Sequence, residues 1–272
     1  MEDPTTIRLS VFGIVLLLCL AWELQAPRRP LTQGKSYRWL NNLSLVAIGA
    51  LTVNVILPLA AFQAALIAQT HQWGLFNWPD GALNQAVPWV AVIIAVIVFD
   101  CAIYWQHRGF HRISWLWRLH RMHHADLDID ASTGLRFHPL EIVLSMLYKI
   151  ALVFALGAPP ISVVIFEVLL NACALFNHSN GYLDSAFDRK LRRFLVTPDM
   201  HRVHHSMHLN ETHSNFGFCL SIWDRIFQSY CPTPKDGHDS MTIGLATFRD
   251  PQELRIDKLL TQPFRHSRTQ DD

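Results

Sequence analysis

The chain has 272 residues, 50% of them hydrophobic and only 17% charged, and its mean hydropathy is +0.17. That is too little charge to coat a water-soluble globule of this size, so the first expectation is a membrane protein. A net charge of +1 with no long basic run excludes the electrostatic footprint of a nucleic-acid binder, and five scattered cysteines without a CxxC exclude a disulfide framework.

In chain order, residues 9–22 form an uncharged apolar run whose flanking Arg8 and Glu23 can snorkel, which predicts a first span. The preceding MEDPTTIR carries two acids against one arginine, unlike a cleaved signal peptide. Between Trp39 and Pro79 no Asp, Glu, Lys or Arg occurs, predicting a second span with slack or a bend at Pro58, and residues 81–99 predict a third. The apolar region 140–176 is interrupted by Gly157-Ala158-Pro159-Pro160, which predicts a helical hairpin. Its arms of about 20 residues, roughly 30 Å each, bring His138 and His178 to one level. Lys149 and Glu167 then fall at equal depth on opposite arms, and charges inside a membrane pair, so a buried Lys149–Glu167 ion pair is expected.

The fold expected is therefore all-α: a polytopic helical membrane protein of about three spans plus a hairpin, with a His-rich helical cap. Residues 1–99 form the N-terminal transmembrane region, 100–231 the catalytic domain containing the 140–177 hairpin, and 232–272 a peripheral tail. The loop after the first span holds Arg28, Arg29, Lys35 and Arg38, whereas the next loop has no Lys or Arg; this places the first loop, and with it the histidines, on the cytoplasmic side. Trp73, Trp78, Trp115 and Trp117 suit an interfacial belt.

Histidine is unevenly spread: residues 1–106 contain only His71, while 107–213 contain 12 of the 15. Three clusters stand out, His107-x3-His111, His120-x2-His123-His124 and His201-x2-His204-His205. On a helix, i, i+3 and i+4 share a face, which lets two imidazoles reach one metal or two neighbouring metals. At this histidine content one HxxHH has about a 4% chance of arising by composition, so two with an HxxxH are not accidental. Eight cluster histidines, joined by His138 and His178, exceed the needs of one tetrahedral ion, which points to two metals. Imidazole suits iron, zinc, copper and nickel alike, so ligand type does not choose among them.

HxxxH, then HxxHH, then RFHPLE at 136–141 and TPDMHRVHH at 197–205, followed by NFGF and WDRIF, resembles the fatty acid hydroxylase/sterol desaturase superfamily from about Asp100 onward. The resemblance implies a membrane-bound non-haem di-iron oxygenase that activates dioxygen and hydroxylates or desaturates a lipid, in a multi-pass protein of the bacterial inner membrane. By motif, His107, His111, His120, His123, His124, His201, His204 and His205 would be iron ligands. His178 matches a further ligand position, and His138 is either a ligand or its neighbour. Two iron ions are implied as cofactor, with zinc as a substitute in purified material. The expected partners are the lipid, dioxygen and a separate electron donor, a b-type cytochrome or a ferredoxin with its reductase. A zinc-dependent membrane hydrolase and a non-catalytic metal-binding membrane protein are the alternatives; the boxes hold no general-base glutamate of the HExxH kind.

Asp100, seven residues before His107, shares its helix face and is placed to orient an imidazole. Glu141 and Arg136 flank His138 for a similar role, and Asn215 either bonds a ligand or makes a turn. His208 extends the third cluster or is solvated. His213 departs from the Asn or Asp of relatives, which leaves its role open. His71, His238 and His266 are incidental.

Overall fold

Proline, glycine and charge decide where the helices begin and stop. The computed structural model describes residues 4–78, 85 and 87–266. Helices α1 (Pro4–Gln25), α2 (Lys35–Ile56) and α3 (Ala61–Thr70) precede α4 (Pro88–Arg112) and α5 (Ser114–His124). The hairpin is α6 (Pro139–Leu156) and α7 (Pro160–His178), followed by α8 (Ser185–Leu191) and α9 (Pro198–His204). Among the described residues there is no β-strand, only isolated bridges.

Among the described residues, five helical segments are long and apolar enough to cross a membrane: α1, the α2–α3 segment, α4, α6 and α7. The second apolar stretch does bend at Pro58. Beyond it, Ala61, Ala64, Ala65 and Ala68 are fully buried, a small-residue face that lets α3 press against the hairpin. Leu9, Leu17, Leu18 and Leu24 on α1 are exposed, as suits side chains solvated by lipid. The hairpin turns at Gly157, whose φ of +63° and contact with Trp73 O, 2.2 Å from any added Cβ, both demand glycine. Lys149 Nζ lies 2.9 Å from Glu167 Oε1, the expected pair, and Arg8 of α1 binds the second oxygen of the same carboxylate.

Two segments make more internal contacts than the sequence announces. The basic loop after α1 is consumed internally: Arg28 pairs with Asp199 and Asp239, Lys35 with Glu23, and Arg29 with the carbonyls of His238 and Met241. Arg38 is wholly buried. The tail is not merely peripheral, because Leu254 and Leu259 are fully buried, Leu259 against Leu45 and Met122, and Arg118 and Arg121 bond carbonyls of Pro263 and Gln262.

Candidate metal centre

Four pieces of chain deliver nine histidines to one end of the bundle. The last turns of α4 carry His107 and His111; Ile113, extended at φ −104° and ψ 113°, ends that helix, and α5 turns back with His123 and His124 in its last turn and His120 just before it. His178 is the final residue of α7. Thr197-Pro198-Asp199 starts α9 with a side-chain cap, Thr197 Oγ1 accepting from Met200 N at 3.3 Å, a proline at the first position and an acid in the first turn. The short helix that presents His201 and His204, with His205 just beyond, is thus fixed at its start.

The rings divide into two buried groups, His107, His111, His120, His124 and His204, and His123, His178, His201 and His205. Within each, one nitrogen per ring lies within 4.8 Å of all the others. Each HxxHH is split between the groups. His120 and His124 stay together while His123 crosses over, and His201 and His205 stay together while His204 crosses over. The i+4 partner shares a face, and the i+3 residue is rotated enough to serve the neighbour.

The hydrogen bonds reveal what the rings lack. His107 Nδ1 donates to Phe216 O at 2.9 Å, His204 Nδ1 to Ser214 O at 2.7 Å, His123 Nδ1 to Arg136 O at 3.2 Å and His178 Nδ1 to Ala174 O at 2.7 Å. A carbonyl only accepts, and a neutral imidazole has one N–H, so all four Nε2 atoms carry bare lone pairs. Yet His204 Nε2 faces His107 Nε2 at 3.0 Å, and His123 Nε2 faces His178 Nε2 at 3.0 Å. Protonation does not relieve this repulsion, because burial and the neighbouring imidazoles push His123 and His204 well below the ordinary histidine range. His120 Nε2, His124 Nε2 and both nitrogens of His205 are buried without partners. A cation between the rings satisfies one nitrogen of each of these rings. Metal–nitrogen bonds of about 2.1 Å at right angles also put two nitrogens about 3.0 Å apart.

A cavity of about 380 Å³ opens onto this arrangement, with His107, His120, His123, His178 and His201 in its wall. The rest is mostly apolar and comes from several spans, including Phe12, Val46, Ile103, Phe110, Phe137 and Leu170.

The fatty acid hydroxylase model matches residues 92–229, just over half of the sequence. The chain belongs to the fatty acid hydroxylase family. This family member is 26% identical over 201 residues to an alkylglycerol monooxygenase of Xenopus tropicalis, covering 74% of this chain and 43% of the relative. It is 31% identical over 193 residues to an ornithine lipid hydroxylase of Rhizobium tropici, covering 67% and 51%. It is 25% identical over 229 residues to a Delta(7)-sterol 5(6)-desaturase of Aspergillus fumigatus, covering 82% and 64%. The chain thus spans roughly half the length of these curated relatives. No solved structure matches it.

Around the rings of this fatty acid hydroxylase family chain, the singled-out neighbours separate. Glu141 Oε1 lies 2.7 Å from His120 Nδ1, an acceptor that turns Nε2 inward. Asp100 meets no imidazole; it accepts from Cys219 N, Leu220 N and Trp223 Nε1 at 2.8–3.1 Å and so ties α4 to the loop after NFGF. Asn215 makes the turn, at φ +51°, and its amide clasps Met200 O, Cys231 O and Cys231 N. That turn aims the Ser214 and Phe216 carbonyls at His204 and His107. His138 stands outside both groups, because its Nδ1 caps α6 by accepting from Leu140 N and its Nε2 faces Leu260 O. His208 is solvated beside Asp236, and His213 is half-buried with its ring 5.6 Å from that of His111. Trp117 is no belt residue: it is buried, its ring 4.9 Å from His111 and 5.5 Å from His124.

Sequence reasoning missed two supports. Arg38, from α2, makes a bidentate pair with Asp126 and bonds Asp130, which rigidifies the loop carrying Arg136 O. Burial would raise Asp126, but Arg38 and Arg136 outweigh it and hold that carboxyl at about 2. Asp224 accepts from Phe216 N and Gly217 N, with burial pushing it up to about 6. A Cβ on Gly217 would sit 2.6 Å from that carboxylate, so glycine is required there. The alternating acids after His124 and the WD of WDRIF were the available signals.

Proposed function

We propose that this protein is a membrane-bound non-haem di-iron oxygenase that hydroxylates or desaturates a lipid, using dioxygen and electrons from a separate b-type cytochrome or ferredoxin system. The observation that carries the reading is the pairing of bare Nε2 atoms in two adjacent buried groups that open onto an apolar cavity walled by membrane helices. A pair of iron ions, when bound, would supply the activation of dioxygen and the attack on an unactivated C–H bond. Five rings would hold one ion and four the other, with zinc able to substitute in purified material.

The chain's own residues bind, orient and exclude. Glu141 and the carbonyls of Arg136, Ala174, Ser214 and Phe216 fix the tautomers; Phe110, Phe137 and Phe218 give the cavity apolar wall beside the rings, which disfavours water there; the spans would hold the lipid. The named relatives oxidise lipids, which favours this reading over a zinc hydrolase or a metal store. Residues 100–231 supply all nine proposed ligands, while the described residues on either side of that range brace them. The centre is assigned to the cytoplasmic side of a bacterial inner membrane, where a lipid from the bilayer and a soluble reductant meet.

Dioxygen- and reductant-dependent turnover of lipid by purified, iron-loaded protein tests the proposal, with alanine at His123 or His204 abolishing it. Undiminished turnover without iron would overturn it.

A further inference from the structure

The cavity has a second polar end that the metal centre does not explain. Glu141, Ser145 and Lys149 recur at i, i+4 along α6, all in the cavity wall, and Asn171 faces the same space from α7. At 1.5 Å per residue, Lys149 lies about 12 Å along the helix from Glu141 and the histidines. Between the two ends, Gln106 Nε2 donates to Ser145 Oγ at 2.6 Å, and the facing wall is apolar, with Phe12, Val46 and Ala50.

Among the described residues, charge at the far end does not balance. Lys149 and Arg8 share one carboxylate, Glu167, which engages Lys149 through Oε1 and Arg8 through Oε2. Glu167 is outside the cavity wall, whereas Lys149 is in it. An ammonium has three donors, of which Lys149 spends one on Glu167. Asn171 spends one N–H on Glu167 O at 2.8 Å, leaving its carbonyl and second N–H. A surplus positive charge among membrane helices favours an anion or a strong acceptor.

We propose that Lys149 and Asn171 form a subsite for an anionic oxygen, the carboxylate or phosphate of an amphiphile whose hydrocarbon extends back to the histidines. This rests on the lipid-oxygenase reading and narrows its substrate class. The carbon oxidised lies about 12 Å from the anionic group, and a purely hydrocarbon or neutral lipid is a poorer fit. Arg8, which is partly exposed and bonded to its own first turn through Pro4 O, serves to tie α1 to the hairpin.

The test is photolabelling of the full-length protein in detergent with three probes, dodecanoate, dodecyl phosphate and dodecanol, each with a diazirine at the end remote from the oxygen. Labelling by at least one anionic probe should exceed that by the alcohol about tenfold, as a charge-assisted hydrogen bond predicts. The anion that labels identifies carboxylate or phosphate as the source. The label should map to Phe137, Phe218 and the end of α5. The charge-neutral pair Lys149→Met with Glu167→Gln should lower anionic labelling about tenfold without loss of bound metal. If that pair does not fold, Asn171→Leu, which leaves the ion triad in place, should still weaken anionic labelling about threefold. Equal labelling by the alcohol, labels clustered at Met146 and Leu170, or variants that label like wild type would overturn the subsite. Dioxygen-dependent turnover without anion preference discards the subsite alone. Anion preference with no turnover in the iron-loaded protein discards the oxygenase and leaves the subsite.

Discussion

The two histidine groups are built from the same boxes yet face different surroundings. In the group of five, His107 and His120 reach the cavity, while in the group of four His123, His178 and His201 all do. The larger group is tethered through Phe216 O, Ser214 O and Glu141, the smaller through Arg136 O and Ala174 O. The difference teaches that the smaller group, with fewer rings, turns more of them to the cavity, whereas the larger is held by the NFGF turn behind it; under the proposed function the smaller group is the one set against substrate.

The largest effect separates the groups directly. His201→Ala and His204→Ala should each abolish turnover, but the first should remove the ion of the smaller group and the second that of the larger, one equivalent each by elemental analysis. Loss of both ions from either variant would merge the two groups into one unit.

Acid comes next. Burial and neighbouring rings depress His123, His124, His201, His204 and His205 far below the unfolded value of 6.5. Below that value the unfolded chain binds more protons, so metal-free stability is present above pH 6.5 and is lost as pH falls. The loss is up to about 1.4 kcal/mol per ring per pH unit, or about 7 for all five. Thermal melting between pH 7 and 5 measures this, and metal on the smaller group, which owns three of the five rings, should protect most.

Arg38→Met strands Asp126 and Asp130 in the interior and should cost about 3–5 kcal/mol in melting experiments. It loosens the loop behind His123, so at permissive temperature the smaller group should lose metal affinity first. Glu141→Gln, the mildest change, frees His120 and should lower metal affinity of the larger group about 10- to 100-fold, with the smaller group unchanged. An equal loss at both would show that Glu141 supports the whole centre.

The helices and boxes were legible because membrane spans and i, i+4 faces are local patterns. The bend at Pro58 and the Gly157–Pro160 turn follow from the helix-breaking of proline and glycine, and the Lys149–Glu167 register from 1.5 Å per residue. His138 was not placed by its sequence position, because its ring caps its own helix and lies outside both histidine groups. Asp100 misled for a related reason: it shares a face with His107, yet its carboxylate meets backbone N–H groups from a loop more than a hundred residues later. Arg38 looked like a topology signal, since nothing near it in sequence announces Asp126 as its partner.

By itself, the sequence determined the all-helical membrane architecture, the number of imidazoles and their helical spacing, because these depend on composition and on neighbours within one turn. The tertiary structure alone decided how each HxxHH is shared between two groups, which carbonyls fix each tautomer, and that Lys149 lines the far end of the cavity. Those outcomes depend on ring directions and on contacts between segments distant in sequence, which no local period encodes.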